Sequence, residues 1–256
     1  MTFRSIGLAS DALVMRGQSV FEEYPNRIVM RTPDEPDYWH GNLVIMREAG
    51  DPTEDIAWFA RDFPDASHLT VVWDVPGLDP APLASALPGV EVATFDVLSL
   101  VGPVSDAPAP AGIELRPVTD WDALLDLQLE AAKDEGYDLA AHKSYLRGRN
   151  TALRTQITAD RGQWFGAFDG DLLVGTLGIF HDDSLARYQS VITRASHRRQ
   201  GICAALLAHS GQWARNRAPH ATLVIVAEAE SNAGRLYRRA GFALTETLVD
   251  ATRRGY

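Results

Sequence analysis

Past residue 110, apolar positions fall into short runs separated by turn signals, and the period of each run predicts an element. Residues 113–118 read as a strand, and Thr119 or Asp120 caps a helix carrying Leu124, Leu125, Leu127 and Leu129. A second helix is predicted within 140–159. Strands at 164–168 and 172–180 flank Asp169-Gly170-Asp171, a hairpin signal because glycine supplies positive φ cheaply. Asp182-Asp183-Ser184 is another turn and leads to a strand over 187–193. A helix over 200–215 follows, with Ile202, Leu206, His209 and Trp213 on one face. A strand at 222–227, a helix at 232–240 and a strand at 242–249 complete the order β, α, α, β, β, β, α, β, α, β. Before residue 100 the pattern is coarser. It predicts a helix over 5–15, strands at 27–31, 43–46 and 69–73, and a helix from Asp51-Pro52-Thr53 through Arg61, with proline tolerated in its first turn.

Between these halves, Gly102 to Gly112 has no hydrophobic period and holds Pro103, Pro108 and Pro110. Proline fixes φ and removes a donor, so the stretch is predicted to be a semi-extended linker. The expected division is a unit over 1–104, a linker over 105–112 and a unit over 113–256. Charge follows the same division. Residues 1–110 hold six arginines against seventeen carboxylates, a net of −11, while 111–256 are near neutral at +1. An acidic chain without a basic stripe disfavours nucleic acid as a partner. It also leads to the expectation that the acidic unit favours cationic acceptors. No apolar run approaches the roughly 20 residues of a membrane helix, and the N-terminus lacks the apolar stretch of a signal peptide. The single cysteine, Cys203, excludes an intramolecular disulfide and a multi-cysteine zinc site. The expectations are a cytoplasmic compartment, no membrane and no metal.

Candidate chemistry sits on two stretches. In the first, a strand ending Val191-Ile192-Thr193 runs through Arg198-Arg199-Gln200-Gly201 into a helix beginning Ile202-Cys203-Ala204. A helix start carries unpaired N–H groups and partial positive charge, so this junction suits an anion. Alone, it is also an ordinary basic loop. The second stretch runs from Glu228 and Glu230 through Asn232 and Ala233 to Leu236-Tyr237, and ends at Gly241-Phe242. Alone, Tyr237 fits a packed amphipathic position.

Together and in this order, the stretches resemble the GNAT family of acyl-CoA-dependent N-acetyltransferases. That family's pyrophosphate loop, Arg/Gln-x-x-Gly-x-Gly/Ala, aligns with Arg198-Arg199-Gln200-Gly201-Ile202-Cys203. Its later helix, Ala-x-x-Leu-Tyr-x-x-x-Gly-Phe, aligns with Ala233, Leu236-Tyr237 and Gly241-Phe242. Cys203 stands where glycine or alanine is usual. Glu230 stands where asparagine is common, with Asn232 nearby. The resemblance covers 113–256. It implies a mixed α+β or α/β class with a central, mixed, splayed sheet flanked by helices. Tyr38-Trp39-His40-Gly41-Asn42-Leu43-Val44-Ile45 resembles a strand pattern in the N-terminal halves of tandem members. The first unit then becomes a smaller, degenerate repeat without a cofactor loop, its alternative being an unrelated α+β domain.

The resemblance further implies acetyl-CoA as co-substrate and an amine acceptor, a small molecule or a peptide. Its pantetheine would pair with the backbone of Val191, Ile192 and Thr193, near Asn232. Its pyrophosphate would meet N–H groups of Arg199, Gln200, Gly201, Ile202, Cys203 and Ala204, with Arg198 adding charge. Tyr237 would protonate the departing thiolate. Gln189 lies where a glutamate base often sits, which leaves Glu228 as the candidate base. His181 and His197 read as structural. A catalytically silent acyl-CoA-binding module and an interaction protein remain as alternatives.

Overall fold

The computed structural model describes residues 1–134 and 139–254. They form two compact units. One comprises Met1–Leu98, Val226–Arg235 and the chain from Leu244 onward; the other comprises Ser99–Ile225 and Leu236–Ala243. The Pro-rich stretch therefore lies inside the second unit, and the chain's last strand counts with the first. This differs from a division at 105–112, and the reason is a hydrogen-bonded ladder. The last strand pairs antiparallel with a strand of the N-terminal half, from Val249 opposite Trp73 to Arg254 opposite His68.

In the first unit the chain forms α1 (Ile6–Val14), β1 (Val20–Glu23), β2 (Arg27–Arg31), β3 (Leu43–Met46), α2 (Pro52–Asp62), β4 (His68–Trp73), α3 (Pro80–Ala86) and β5 (Glu91–Leu100). The last strand, β11 (Ala243–Arg254), inserts so that the order is β1-β2-β3-β4-β11-β5. The β3–β4 pair is parallel, with α2 as the crossover. Both strands are buried along their whole length, so β3 is apolar throughout and β4 is apolar except for the buried His68 and Thr70. Asp51 caps α2 by accepting from the Thr53 and Glu54 N–H groups. Phe59 of α2 and Phe63 just after it, with Leu83 and Leu87, pack on Val44, Val71 and Trp73. The stretch 38–42, expected to extend a strand, is instead a 3-10 turn over Trp39–Gly41. Asn42 holds that turn: its amide donates to the Glu35 and Tyr38 carbonyls, and its oxygen accepts from Thr32 N–H.

Asp250 on β11 is 5% exposed and its Oδ1 has no partner among the described residues. Burial, aided by Glu91, pushes its carboxyl up to about 7, and a backbone hydrogen bond from Ala93 opposes this only in part.

In the second unit, β6 (Ile113–Pro117), β7 (Gly162–Asp169), β8 (Leu172–His181), β9 (Leu185–Thr193) and the first part of β10 (Thr222–Glu228) follow the order β10-β9-β8-β7-β6. The β9–β10 pair is parallel and the rest antiparallel. The helices are α4 (Trp121–Asp134), α5 (Leu139–Thr158), α6 (Ile202–Arg217) and α7 (Asn232–Arg239). Asp120 is the residue that caps α4, accepting from the Asp122 and Ala123 N–H groups. Gly170 turns the β7–β8 hairpin at φ +58°. On β7, Trp164 meets Trp121 of α4, while its neighbour Phe165 meets His209 and Trp213 of α6. Adjacent strand residues point to opposite faces, so α4 and α6 cover the two sides of the sheet. Trp164 Nε1 donates to Thr176 Oγ1 at 2.7 Å, and that hydroxyl donates to the Phe165 carbonyl at 2.8 Å.

Thr176→Val keeps the shape but strands the indole N–H and the Phe165 carbonyl in a fully buried site. A loss of about 1–3 kcal/mol is expected, read as a lower denaturation midpoint at unchanged m. Asp250→Asn tests the buried carboxyl. A raised folded pKa contributes stability below the unfolded value near 3.8 and loses it as pH rises through about 7. The Asn variant is therefore expected to gain on the parent between about pH 4 and 7, with a plateau above, in melts across that range.

Candidate active site

The parallel ladder between β9 and β10 is short. It joins Leu185, Ala186 and Arg187 to Thr222, Leu223 and Val224, and stops there. Beyond Arg187, β9 stays paired with β8 but leaves β10. The β8 pairing also shifts register: Gly178 faces Gln189, yet Thr176 faces Ile192. Ser190 and Val191 together stand against Leu177 alone, and Ser190 takes φ +47°. This is a β-bulge, which turns the strand. The segment holding Val191, Ile192 and Thr193 thus presents a backbone edge that β10 does not use. Part of that edge is taken, because Arg198 Nε donates to the Thr193 carbonyl at 3.2 Å.

The bulge is anchored from α5. Arg149 donates to Ser190 Oγ at 3.0 Å and to Gln189 Oε1 at 3.1 Å. Gln189, at the position where the resemblance led to a missing glutamate, is therefore held by a cation. Arg149 was not legible as a site residue. The available signal was α5 itself, which carries Lys143, Arg147, Arg149 and Arg154 without one carboxylate.

After β9, Arg194 N–H returns to the Val174 carbonyl and Arg194 pairs with Glu130 of α4. A 3-10 turn over Ala195–His197 leads to Arg199 at φ +63° and Gly201 at φ +86°. The first intrahelical bond of α6 runs from Ala205 N–H to the Gly201 carbonyl, so the N–H groups of Ile202, Cys203 and Ala204 precede it. Consecutive N–H groups after left-handed residues form a concave anion nest, reinforced by the helix dipole. A Cβ built at Gly201 meets only Pro110 Cγ, at 3.9 Å. The glycine answers a left-handed backbone, not crowding within the chain. The side chains of Arg198, Arg199 and Gln200 are exposed, and Gln200 reaches back to the Ser196 carbonyl.

Tyr237 is buried at 6% exposure in the same unit. Burial drives its phenol above the ordinary range, Cys203 adds to the rise, and the Arg187 cation opposes it. Tyr237, Cys203 and Arg187 are thus brought together where β9 parts from β10. Burial also pushes the Cys203 thiol up to about 12, so it is neutral near pH 7 and no nucleophile. Glu228 is exposed at the end of β10, and Asn232 is exposed with its Oδ1 accepting from Arg235 at 2.6 Å; both count with the first unit. His197 bonds Ser196 and Asp169. His181 packs on Trp213, and burial lowers its pKa. Among the described residues no cluster of His, Cys, Asp or Glu is arranged to hold a metal, and no helix is long and apolar enough to cross a membrane.

Residues 121–242 match the model of the Acetyltransferase (GNAT) family. A functionally unknown conserved protein from Staphylococcus epidermidis ATCC 12228 has a similar structure over 94% of this chain and 96% of its own, at 15% identity and a TM-score of 0.70. A GCN5-related N-acetyltransferase from Kribbella flavida is similar over 99% and 95%, at 19% identity and 0.62. A tandem GNAT protein from the clavulanic acid biosynthesis pathway is similar over 96% and 88%, at 14% identity and 0.57. At these identities the likeness is one of fold. No curated protein matches the chain.

Proposed function

We propose, from the match of residues 121–242 to the GNAT family model, that the chain is an N-acyltransferase that moves an acetyl group from acetyl-CoA to an amine by direct attack. The carrying observation is the opening along β9. The edge that β10 leaves unused and the α6 anion nest lie in sequence on one strand–loop–helix, and a buried phenol lies beside the start of α6. The edge supports an extended pantetheine arm, which can pair as an added strand does. The N–H groups of Ile202, Cys203 and Ala204 support the pyrophosphate, with Arg198 and Arg199 supplying charge.

In this reading the amine nitrogen bonds to the thioester carbon, the C–S bond breaks, and the departing sulfur takes the Tyr237 proton. The amine gives up its proton to Glu228 or to water. Binding supplies proximity, and the raised phenol supplies a proton donor that is fully protonated at neutral pH. The first unit is proposed to be a degenerate repeat. Before residue 110 the Arg-x-x-Gly-x-Gly/Ala pattern occurs at Arg4-Ser5-Ile6-Gly7-Leu8-Ala9, but no strand precedes it and the Gly7 and Leu8 N–H groups are already taken by Glu246 and Ser5, and the similar structures extend over nearly all of this chain. A second reading, a silent acyl-CoA-binding module, is favoured by Gln189, an amide held by Arg149 where a base would serve. Release of free thiol from acetyl-CoA with a panel of amines separates the two: binding without release sinks the enzyme.

Tyr237→Phe keeps the ring and removes the donor. Turnover is expected to fall roughly 10²-fold with acetyl-CoA affinity retained; unchanged kcat under rate-limiting chemistry returns Tyr237 to the core. Gly201→Glu places a carboxylate at the nest and an L side chain at φ +86°. Calorimetry is expected to show one acetyl-CoA per parent chain and none for the variant. Two sites per chain, or a folded variant of parental affinity, would mean that the loop has another role.

A further inference from the structure

We propose that residues 103–110 are a fixed strap along α6, and that Pro110 is a wall of the cofactor site that contacts the nucleotide end of an acyl-CoA. This rests on reading the start of α6 as the diphosphate site. The strap is tied down at its beginning by Arg215, in the last turn of α6. Its guanidinium donates to the carbonyls of Leu100, Val101 and Gly102 at 3.0, 2.8 and 3.2 Å. One turn earlier on the same face is Gly211, where a Cβ would lie 3.1 Å from a Val104 methyl and collide with the Tyr188 hydroxyl. The glycine is what lets Val104 lie against the helix. Ser105 Oγ approaches Gly241 in the same way, 3.1 Å from where a Cβ would stand. At the far end, Pro110 Cγ sits 3.9 Å from the Cβ position of Gly201, and the Pro110 carbonyl accepts from Ile113 N–H at 3.0 Å.

The lengths agree. Gly211 and Gly201 are ten residues apart, about 15 Å along a helix. The six steps from Val104 to Pro110 span at most about 20 Å when extended. The segment therefore runs antiparallel to α6, from its C-terminal turn to its N-terminus, and is long enough to do so.

A diphosphate on the N–H groups of Ile202, Cys203 and Ala204 has its pantetheine along β9 and must send its adenosine outward, past Gly201. The wall there is the Pro110 ring. It is half-buried, apolar and rigid, so it packs against a purine or ribose face without losing rotamer freedom.

The test uses the full chain and two ligands, coenzyme A and 4′-phosphopantetheine, which lacks the nucleotide. Pro110→Gly is expected to weaken coenzyme A about fivefold, the scale of one lost apolar contact, while leaving 4′-phosphopantetheine unchanged. The second ligand also reports that the site is folded. Val104→Asp, which lifts the strap from Gly211 without touching the loop, is expected to give the same selective loss. Equal weakening of both ligands, or parental affinity for coenzyme A in either variant, overturns the strap contact. A parent that binds neither ligand overturns the reading of the α6 start itself, a result distinct from the others.

Discussion

The end of the β9–β10 ladder at Arg187 and Val224 is the constraint on which the candidate site depends. Three parallel pairs hold the two strands together, after which β9 needs somewhere else to go. The bulge at Ser190 and Val191 bends it, and Arg149 fixes the bend from outside the sheet. Had the ladder continued, the backbone of Val191 and Ile192 would be closed into the sheet and no edge would be offered. A β-edge left open in a sheet interior costs unmade hydrogen bonds unless something pairs with it. An extended ligand arm meets that need, which is why this local defect is a stronger functional pointer than any single side chain here.

The same parting shapes the electrostatics. Arg187 is the last residue of β9 paired with β10, and its guanidinium opposes the rise that burial imposes on Tyr237. The effects are unequal: desolvation dominates, so the phenol stays protonated across neutral pH. A buried, neutral O–H near the start of a helix is the right kind of group to meet a developing thiolate and the wrong kind to act as a base. The proposed reaction would then need another proton acceptor, and Gln189, an amide held by Arg149, does not provide one.

Much of this was legible in the sequence, for physical reasons that can be named. Strand β3 carries an unbroken apolar run, and β4 a run broken only by Thr70 after His68, because both faces are covered. The β7–β8 hairpin announced itself through Asp169-Gly170-Asp171. The loop before α6 was visible through Gly201, and the φ of +86° explains why a glycine stands there. The positive φ of Arg199 was not visible, since arginine has no preference for that region. Arg149 and Arg187 were missed because they act through tertiary neighbours that no spacing rule reaches. The division of the chain was also hidden. A Pro-rich stretch looks like a linker by composition, but Gly211 and Gly241 give it surfaces to lie on, and β11 returns to pair with β4. Composition reports what a segment cannot form by itself; it is silent on what another element offers it.

Cys203 brings these threads to one atom. The position sits in the second turn-forming residue of α6, where the family pattern has glycine or alanine. In the proposed reaction, a reactive thiol there, beside the thioester, would divert the acyl group onto the protein. Helix N-termini ordinarily lower a thiol pKa, so the placement looks hazardous. Burial outweighs the dipole: the thiol is held near 12 and its thiolate is negligible at neutral pH. The side chain then acts as a small group beside Tyr237, and its electrostatic effect adds to the rise that burial imposes on the phenol. The departure from pattern is thus neutral to the nest, whose donors are backbone N–H groups, and acts on Tyr237, the proposed proton donor.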